Sequence, residues 1–211
     1  MMNNRSKYAS VSEAFDIWKD HVVDMGFGHK LGVDLPSEKR GFIPNSKFYD
    51  KVKNGRPWNA HSVISIAIGQ GEILATPLQI ANFAALTANR GYFYTPHAVK
   101  SRKGAELDTT FTKRHDSGIR REFFEITVNG MADAVTRGTC YGINLEPEIT
   151  VCGKTGTAEN PHGDDHSLFM GFAPKDNPRV AIAVIVENGR FGASNAVPIA
   201  RLMMQKYLKG E

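Results

Sequence analysis

The last third of the chain most constrains its fold, because three strand-like segments follow one another along the sequence. Strands are predicted over 147–153, 167–173 and 179–187, and an amphipathic helix is predicted over 194–208. The turn of hairpin length over 174–178 favours antiparallel pairing of the strands on either side of it. The segment 179–187 is almost continuously apolar and β-branched, which is typical of a strand covered on both faces.

Helix signals dominate the earlier part of the chain. Ser10 with Glu13 and Thr76-Pro77 with Gln79 form helix starts of the capping-box type. The predicted helices cover 11–25, 76–89 and 120–137, a strand is predicted over 92–99, and the alternating isoleucines of 62–68 predict an extended segment. Helices followed by an antiparallel meander and a closing helix indicate the α+β class, an antiparallel sheet with packed helices.

Composition excludes several classes of protein. The 211 residues are 41% hydrophobic and 23% charged, which is typical of a globular domain. The net charge of +4 is spread along the chain, which disfavours nucleic-acid binding. The two cysteines are too few for a disulfide framework or a zinc cluster. Met1-Met2 leads straight into a polar stretch, so we expect this chain to start inside a longer protein.

Residues Gly153-Lys154-Thr155-Gly156-Thr157 carry the sharpest chemical signal. A phosphate-binding loop is excluded, because Glu148 stands where that motif needs glycine and no helix start follows. The alternative is the Lys-Thr-Gly motif of active-serine penicillin-recognising enzymes. In that hypothesis Lys154 supplies positive charge, Thr155 and Thr157 supply hydroxyl donors for a carboxylate, and Gly156 allows close approach of an extended substrate. The amide after Gly156 serves as an oxyanion donor.

Four blocks resemble class B penicillin-binding proteins in the order that this family has. They are Gly32-Val33-Asp34-Leu35-Pro36 with Glu38 and Gly41, Gly69-Gln70-Gly71 with Thr76-Pro77-Leu78-Gln79, the segment Gly153 to Asn160, and the segment His166 to Pro174. The first block and Asn160-Pro161-His162-Gly163 most resemble the elongation-type branch, penicillin-binding protein 2. The resemblance covers almost the whole chain and implies part of a β-lactamase/transpeptidase-like fold.

The resemblance implies peptidoglycan D,D-transpeptidase chemistry in the parent protein. A serine attacks the D-Ala–D-Ala bond of a stem peptide, and the acyl group then passes to an amine of a neighbouring strand. Lys154, Thr155 and Gly156 would belong to the catalytic site, and Thr157, Gln70 and Gly71 to substrate binding. The implied partners are stem peptides, β-lactam antibiotics, a glycosyltransferase and elongation-complex proteins. The implied location is the periplasmic face of the bacterial inner membrane, and no cofactor or metal is implied.

The catalytic motifs that the family places before Lys-Thr-Gly do not occur in these 211 residues. No serine is followed by lysine three residues later or by asparagine two residues later. The nearest match, Thr110 with Lys113, lies in a polar segment. We therefore expect residues 1–211 to form the C-terminal part of a transpeptidase domain, without the nucleophile segment and inactive by itself. Apolar faces left without partners, such as that of the helix at 76–89, predict self-association.

Other interpretations stay open at this point. The enzymatic alternatives are a D,D-carboxypeptidase and a serine β-lactamase, and the non-enzymatic ones are a β-lactam sensor domain of a membrane receptor and an interaction module with a decayed site. Gly69-Gln70-Gly71 is either a ligand-facing loop or a packing turn. His162, Asp164, Asp165 and His166 resemble a metal cluster, but Pro161 and Gly163 favour a polar loop. Cys152 is expected to be a packed thiol, and Trp18 and Trp58 core or groove-wall aromatics.

Overall fold

The computed structural model describes residues 3–4, 6–100, 108–146 and 148–210. The Met1-Met2 start and residues 101–107 of the polar segment lie outside these ranges. The helices are α1 (Val11–Asp24), α2 (Ser46–Val52), α3 (Pro77–Ala88), α4 (Thr109–Thr112), α5 (Arg121–Arg137) and α6 (Ala196–Lys209). The strands are β1 (Tyr92–Tyr94), β2 (Arg114–Asp116), β3 (Cys152–Ala158), β4 (His166–Ala173) and β5 (Val180–Val186), and two 3-10 helices cover Ala60–Ile68 and Tyr141–Ile143.

The predicted antiparallel meander is confirmed as a three-stranded sheet in the order β3-β4-β5. Its register pairs Lys154 with Met170 and Gly156 with Leu168 across β3 and β4. Successive side chains point to opposite faces, so Phe169 and Phe172 of β4 enter different cores. The α+β class is therefore confirmed.

Helices cover both faces of this sheet, as the apolar sequence of β5 predicts. The buried side chains of α6 pack on the face that carries Phe169, Ile182 and Val184. The other face carries Cys152 and Phe172, against which α3 and α5 pack. The face of α3 that was expected to lack partners is in fact buried, because Ala84, Leu86 and Ala88 are in the core.

The prediction of an extended segment over 62–68 is wrong, because these residues lie inside the 3-10 helix Ala60–Ile68. Asn59 and Ser62 form a reciprocal capping box at its start. The buried residues are Val63 and Ile66, which are three apart, while Ile64 and Ile68 are exposed. Residues at i and i+3 share a face of a 3-10 helix, so the burial follows the helix and not the alternating isoleucines. The strand predicted over 92–99 shortens to β1, and the strand predicted over 147–153 begins only at Cys152.

An aromatic cluster holds the first part of the chain together. Phe15 of α1 lies 5.4 Å from Trp18, 5.5 Å from Tyr49 and 5.8 Å from Trp58, measured between ring centroids. Trp18 and Trp58 pack against the same buried cluster as half-buried members, which confirms their prediction as core aromatics.

The Gly-Val-Asp-Leu-Pro block is a network of carboxylate-to-backbone hydrogen bonds. The Glu38 carboxylate accepts from the amides of Leu31 (2.5 Å), Gly32 (3.1 Å) and Val33 (3.3 Å). The Asp34 carboxylate accepts from the amides of Ala98 and Val99. These amide donors favour the ionised carboxylate and hold the pKa of Asp34 below its usual value. Both acidic residues of the block therefore have a structural role.

Gln79 connects the start of α3 to the preceding loop. Its side-chain oxygen accepts from the Thr76 amide, and its side-chain nitrogen donates to the carbonyls of His29 (2.9 Å) and Arg40 (3.0 Å). The Gln79 side chain is fully buried. The confirmed helix start thus also fixes the loop that ends at Gly41.

Replacing Gln79 by methionine is expected to lower the free energy of unfolding by roughly 2–4 kcal/mol, because three backbone groups lose their hydrogen bonds to this buried side chain. Urea denaturation followed by circular dichroism measures the change. The matched control is Gln205→Met in α6, where Gln205 is only half-buried. We expect a much smaller effect for this variant. Equal losses in the two variants would contradict the role assigned to Gln79.

Candidate active site

A pocket of about 440 Å³ opens between β3 and the turn that follows the first 3-10 helix. Its lining residues come from both sides: Ile68, Gly69 and Gln70 from the turn, and Lys154, Thr155, Gly156, Thr157, Ala158 and Leu168 from the sheet. In the part of the chain that the structure describes, β3 is an edge strand that pairs only with β4. The pocket therefore lies beside a strand edge that no other described strand covers, where an extended ligand could pair with β3.

The turn Gly69-Gln70-Gly71 needs glycine for its backbone. Gly69 and Gly71 have φ values of 76° and 72°, in the left-handed region that side chains disfavour. Gln70 between them lines the pocket. Gly71 lies outside this lining, and a β-carbon added to it would lie 3.2 Å from that of Ser65. The structure thus places Gln70 at the pocket and gives Gly71 a packing position.

The pocket turn is tied to the aromatic cluster through a hydrogen bond. The buried Tyr49 hydroxyl donates to the Glu72 carboxylate over 2.6 Å. Burial, followed by this hydrogen bond to an anion, raises the pKa of Tyr49 well above its usual value. The Leu74 and Phe42 backbones bond to each other just beyond. These contacts fix the wall of the pocket that faces β3.

Lys154 is exposed at the pocket. Its Nζ donates to the Thr155 carbonyl over 2.6 Å. An ammonium group has three donors, so two further N–H groups can donate to a ligand without breaking this contact. A ligand with a carboxylate would therefore meet a positive charge at the strand edge.

Thr155 is half-buried and Thr157 is exposed on the same strand. The Thr155 hydroxyl lies 2.7 Å from the hydroxyl of Thr139, a residue of the turn after α5. A β-carbon on Gly192 would lie 3.1 Å from that of Thr155 and 2.7 Å from the Gly156 carbonyl oxygen. Thr155 is thus enclosed by two loops, and Thr139 is a residue at the site that the sequence analysis did not identify.

The other candidate residues, in the His162–His166 loop and at the two cysteines, lie outside the pocket and make contacts within the fold. In the His162–His166 loop, Asp164 pairs with Arg190, and His166 Nδ1 accepts from the Asn188 amide over 3.1 Å. Within the described ranges, the side chains form no group of three or more potential metal ligands. Cys140 and Cys152 are buried free thiols. Burial raises the pKa of Cys152 to about 11, which fits a packed thiol.

Comparison with known proteins places this geometry in a family. The model of the penicillin binding protein transpeptidase domain matches residues 14–205. The chain belongs to this family. Its resemblance to class B penicillin-binding proteins is therefore confirmed.

Several similar proteins are the peptidoglycan D,D-transpeptidase MrdA or PBP2. The peptidoglycan D,D-transpeptidase MrdA of Acinetobacter baumannii is 39% identical over 190 residues, which are 81% of this chain and 28% of the relative. The structure of Pseudomonas aeruginosa PBP2 in complex with WCK 5153 is 29% identical, with a TM-score of 0.78 over 93% of this chain and 45% of that one. The complex between PBP2 and MreC from Helicobacter pylori is 27% identical, with a TM-score of 0.74 over 95% of this chain and 40% of that one.

The chain thus spans 28% of the length of its Acinetobacter relative. Across the described ranges, none of the helices is long and apolar enough to cross a membrane.

Proposed function

We propose that residues 1–211 form the C-terminal part of the transpeptidase domain of a peptidoglycan D,D-transpeptidase, and that the pocket beside β3 binds the donor stem peptide. The observation that carries the proposal is that Lys154, Thr155 and Thr157 lie on one free strand edge and share a pocket with Gln70. A cation and two hydroxyls on an edge strand suit the terminal carboxylate of an extended peptide.

Each site residue has a distinct role in this proposal. Lys154 attracts the carboxylate of the terminal D-alanine, and the Thr155 and Thr157 hydroxyls donate to it. Gly156 keeps the strand surface flat, since a β-carbon there would lie 3.3 Å from that of Leu168. The Thr157 amide donates to the oxyanion. Gln70 and the neighbouring turn form the opposite wall.

The chemical step needs a serine from a Ser-x-x-Lys motif, which these 211 residues do not contain. Its Oγ attacks the carbonyl of the penultimate D-alanine and loses its proton to a base. The peptide C–N bond breaks, and the terminal D-alanine leaves with a proton on its amine. The amine of a neighbouring stem peptide then attacks the ester, releases the serine and completes the cross-link. β-Lactams resemble the donor and stop the reaction at the acyl-enzyme.

The partners and location of the whole protein are part of the proposal. The relative from Helicobacter pylori was solved in a complex with MreC, which supports an MreC-like scaffold protein as a partner. A glycosyltransferase would supply the glycan strands whose peptides are cross-linked. The substrate lies outside the cytoplasm, so the protein would act on the periplasmic side of the inner membrane.

A chimera tests the proposal directly. In this chimera, the part of Acinetobacter baumannii MrdA that precedes the matched region is joined to this chain. We expect a fluorescent penicillin to acylate it, because the relative's part supplies the serine and this chain supplies the carboxylate pocket. A folded chimera that is never acylated would contradict the proposed function.

Self-association of the 211-residue chain is a further expectation, because the chain has an unpaired strand edge and an exposed apolar helix face. Among the described residues no strand pairs with the second edge of β5, and α6 exposes Ile199, Leu202, Met203 and Tyr207. We expect light scattering after size-exclusion chromatography to give a dimer or larger species at micromolar concentration.

Leu202→Glu should shift this equilibrium towards monomer, because Leu202 is 65% exposed on α6. The matched control is Ile126→Glu on α5, where the side chain is 70% exposed and lies on a different helix. A monomer at every concentration would contradict the expectation.

A further inference from the structure

The turn that joins α5 to the second 3-10 helix reaches the pocket strand through Thr139. The hydroxyl oxygens of Thr139 and Thr155 lie 2.7 Å apart, which is the usual length of an O–H···O hydrogen bond. The two residues are far apart in sequence and lie on different elements. This contact links the turn to the pocket.

Both sides of Thr139 are anchored. Gly138 ends α5, and a β-carbon there would lie 2.8 Å from the Ala134 α-carbon. On the other side the Cys140 amide donates to the Ala134 carbonyl over 2.9 Å, and the Cys140 side chain is fully buried. Burial also raises the pKa of the Cys140 thiol, which therefore stays a neutral packed group. The backbone on both sides of Thr139 is thus held in place, while the Thr139 side chain itself is exposed.

The number of hydroxyl protons in the Thr139–Thr155 pair determines what Thr155 can donate to a ligand. A threonine hydroxyl has one proton to donate, so in a pair of hydroxyls one donates and the other accepts. Either atom is able to act as the donor in this pair. If Thr155 donates to Thr139, its proton is no longer available to a ligand. If Thr139 donates, Thr155 accepts and keeps its own proton for a carboxylate in the pocket.

We propose that Thr139 is a positioning residue that donates to Thr155 and thereby directs the Thr155 hydroxyl proton to the carboxylate of the ligand. This inference rests on the proposed function and adds a residue to the same site. An anionic ligand selects this direction, because a carboxylate only accepts hydrogen bonds. Thr139 then acts through Thr155 and does not touch the ligand itself.

The test measures the second-order rate constant of acylation by benzylpenicillin in the chimera. Thr139→Val keeps the shape of the side chain and removes the donor, and we expect a loss of roughly 5- to 20-fold, the usual effect of one hydrogen bond to an activated group. Thr139→Ser keeps the hydroxyl and should restore the rate to within about twofold. Thr127→Val is the matched control, because the Thr127 hydroxyl bonds to the Phe123 carbonyl of its own helix.

A double-mutant cycle separates positioning from general stability. In a Thr155→Val background the Thr139→Val change should have no further effect, because the group that Thr139 orients is gone. The same fold-loss in both backgrounds would overturn the inference, and so would a Thr139→Val chimera that is acylated at the unaltered rate. An unaltered chimera that is folded but never acylated would overturn the proposed function and this inference with it.

Discussion

The 211-residue chain is expected to form no stable adduct with a fluorescent penicillin, whereas the chimera is expected to be labelled on a denaturing gel. A covalent adduct needs a serine activated by a lysine three residues later, and none of the serines in this chain has one. Thr110 with Lys113, the nearest match, lies at the exposed short helix α4. A carboxylate pocket without a nucleophile binds a ligand reversibly at most.

Intact mass spectrometry is the second readout of this comparison. The chimera should gain the mass of one penicillin molecule, and the chain alone should keep its own mass. Heat-denatured chimera is the control for non-specific labelling. A denaturation-resistant label on the chain alone would contradict the view that it lacks the nucleophile.

Replacing Lys154 by methionine in the chimera is expected to lower the second-order rate constant of acylation by about 10²- to 10³-fold. Lys154 carries the exposed positive charge at the strand edge and belongs to the pocket lining. Removing one preorganised donor from a catalytic site typically costs this much. Methionine keeps the length of the side chain, so the loss reports the charge and its hydrogen bonds.

Lys175→Met is the matched control for Lys154→Met. It makes the same change of charge at a residue that lies outside the pocket, where its Nζ donates to Asn129 over 2.7 Å. The two variants and the unaltered chimera are compared at equal pH and ionic strength, with melting temperatures recorded for each. A similar loss in both variants would mean that net charge, not the position of Lys154, determines the rate.

The sequence predicted secondary structure correctly where nearby residues are enough to determine it. Thr76 with Gln79 forms the expected capping box, and the short turn between β4 and β5 gives the expected antiparallel pairing. These features depend on residues a few positions apart, so the sequence contains all that is needed. The prediction for 62–68 was wrong because two local signals conflict there. The alternating isoleucines indicate a strand, whereas Asn59 and Ser62 form a capping box that begins a helix.

The site was only partly accessible from the sequence. The motif at Lys154 and the turn at Gln70 indicated chemistry separately, and only the fold brings them to one pocket. No sequence pattern indicated Thr139, because its hydrogen bond to Thr155 depends on where the turn after α5 lies against β3. Contacts of this kind arise from tertiary packing, which no local pattern specifies.

A crystal structure of the chimera acylated by benzylpenicillin tests the central claim most directly. The account predicts that the penicillin carboxylate lies in the pocket between Gln70 and β3, with its oxygens about 2.7–3.0 Å from the hydroxyls of Thr155 and Thr157. Lys154 should lie beside the same carboxylate. A carboxylate directed into solvent or held by other residues, with the β3 pocket empty, would contradict the claim that this strand recognises the donor peptide.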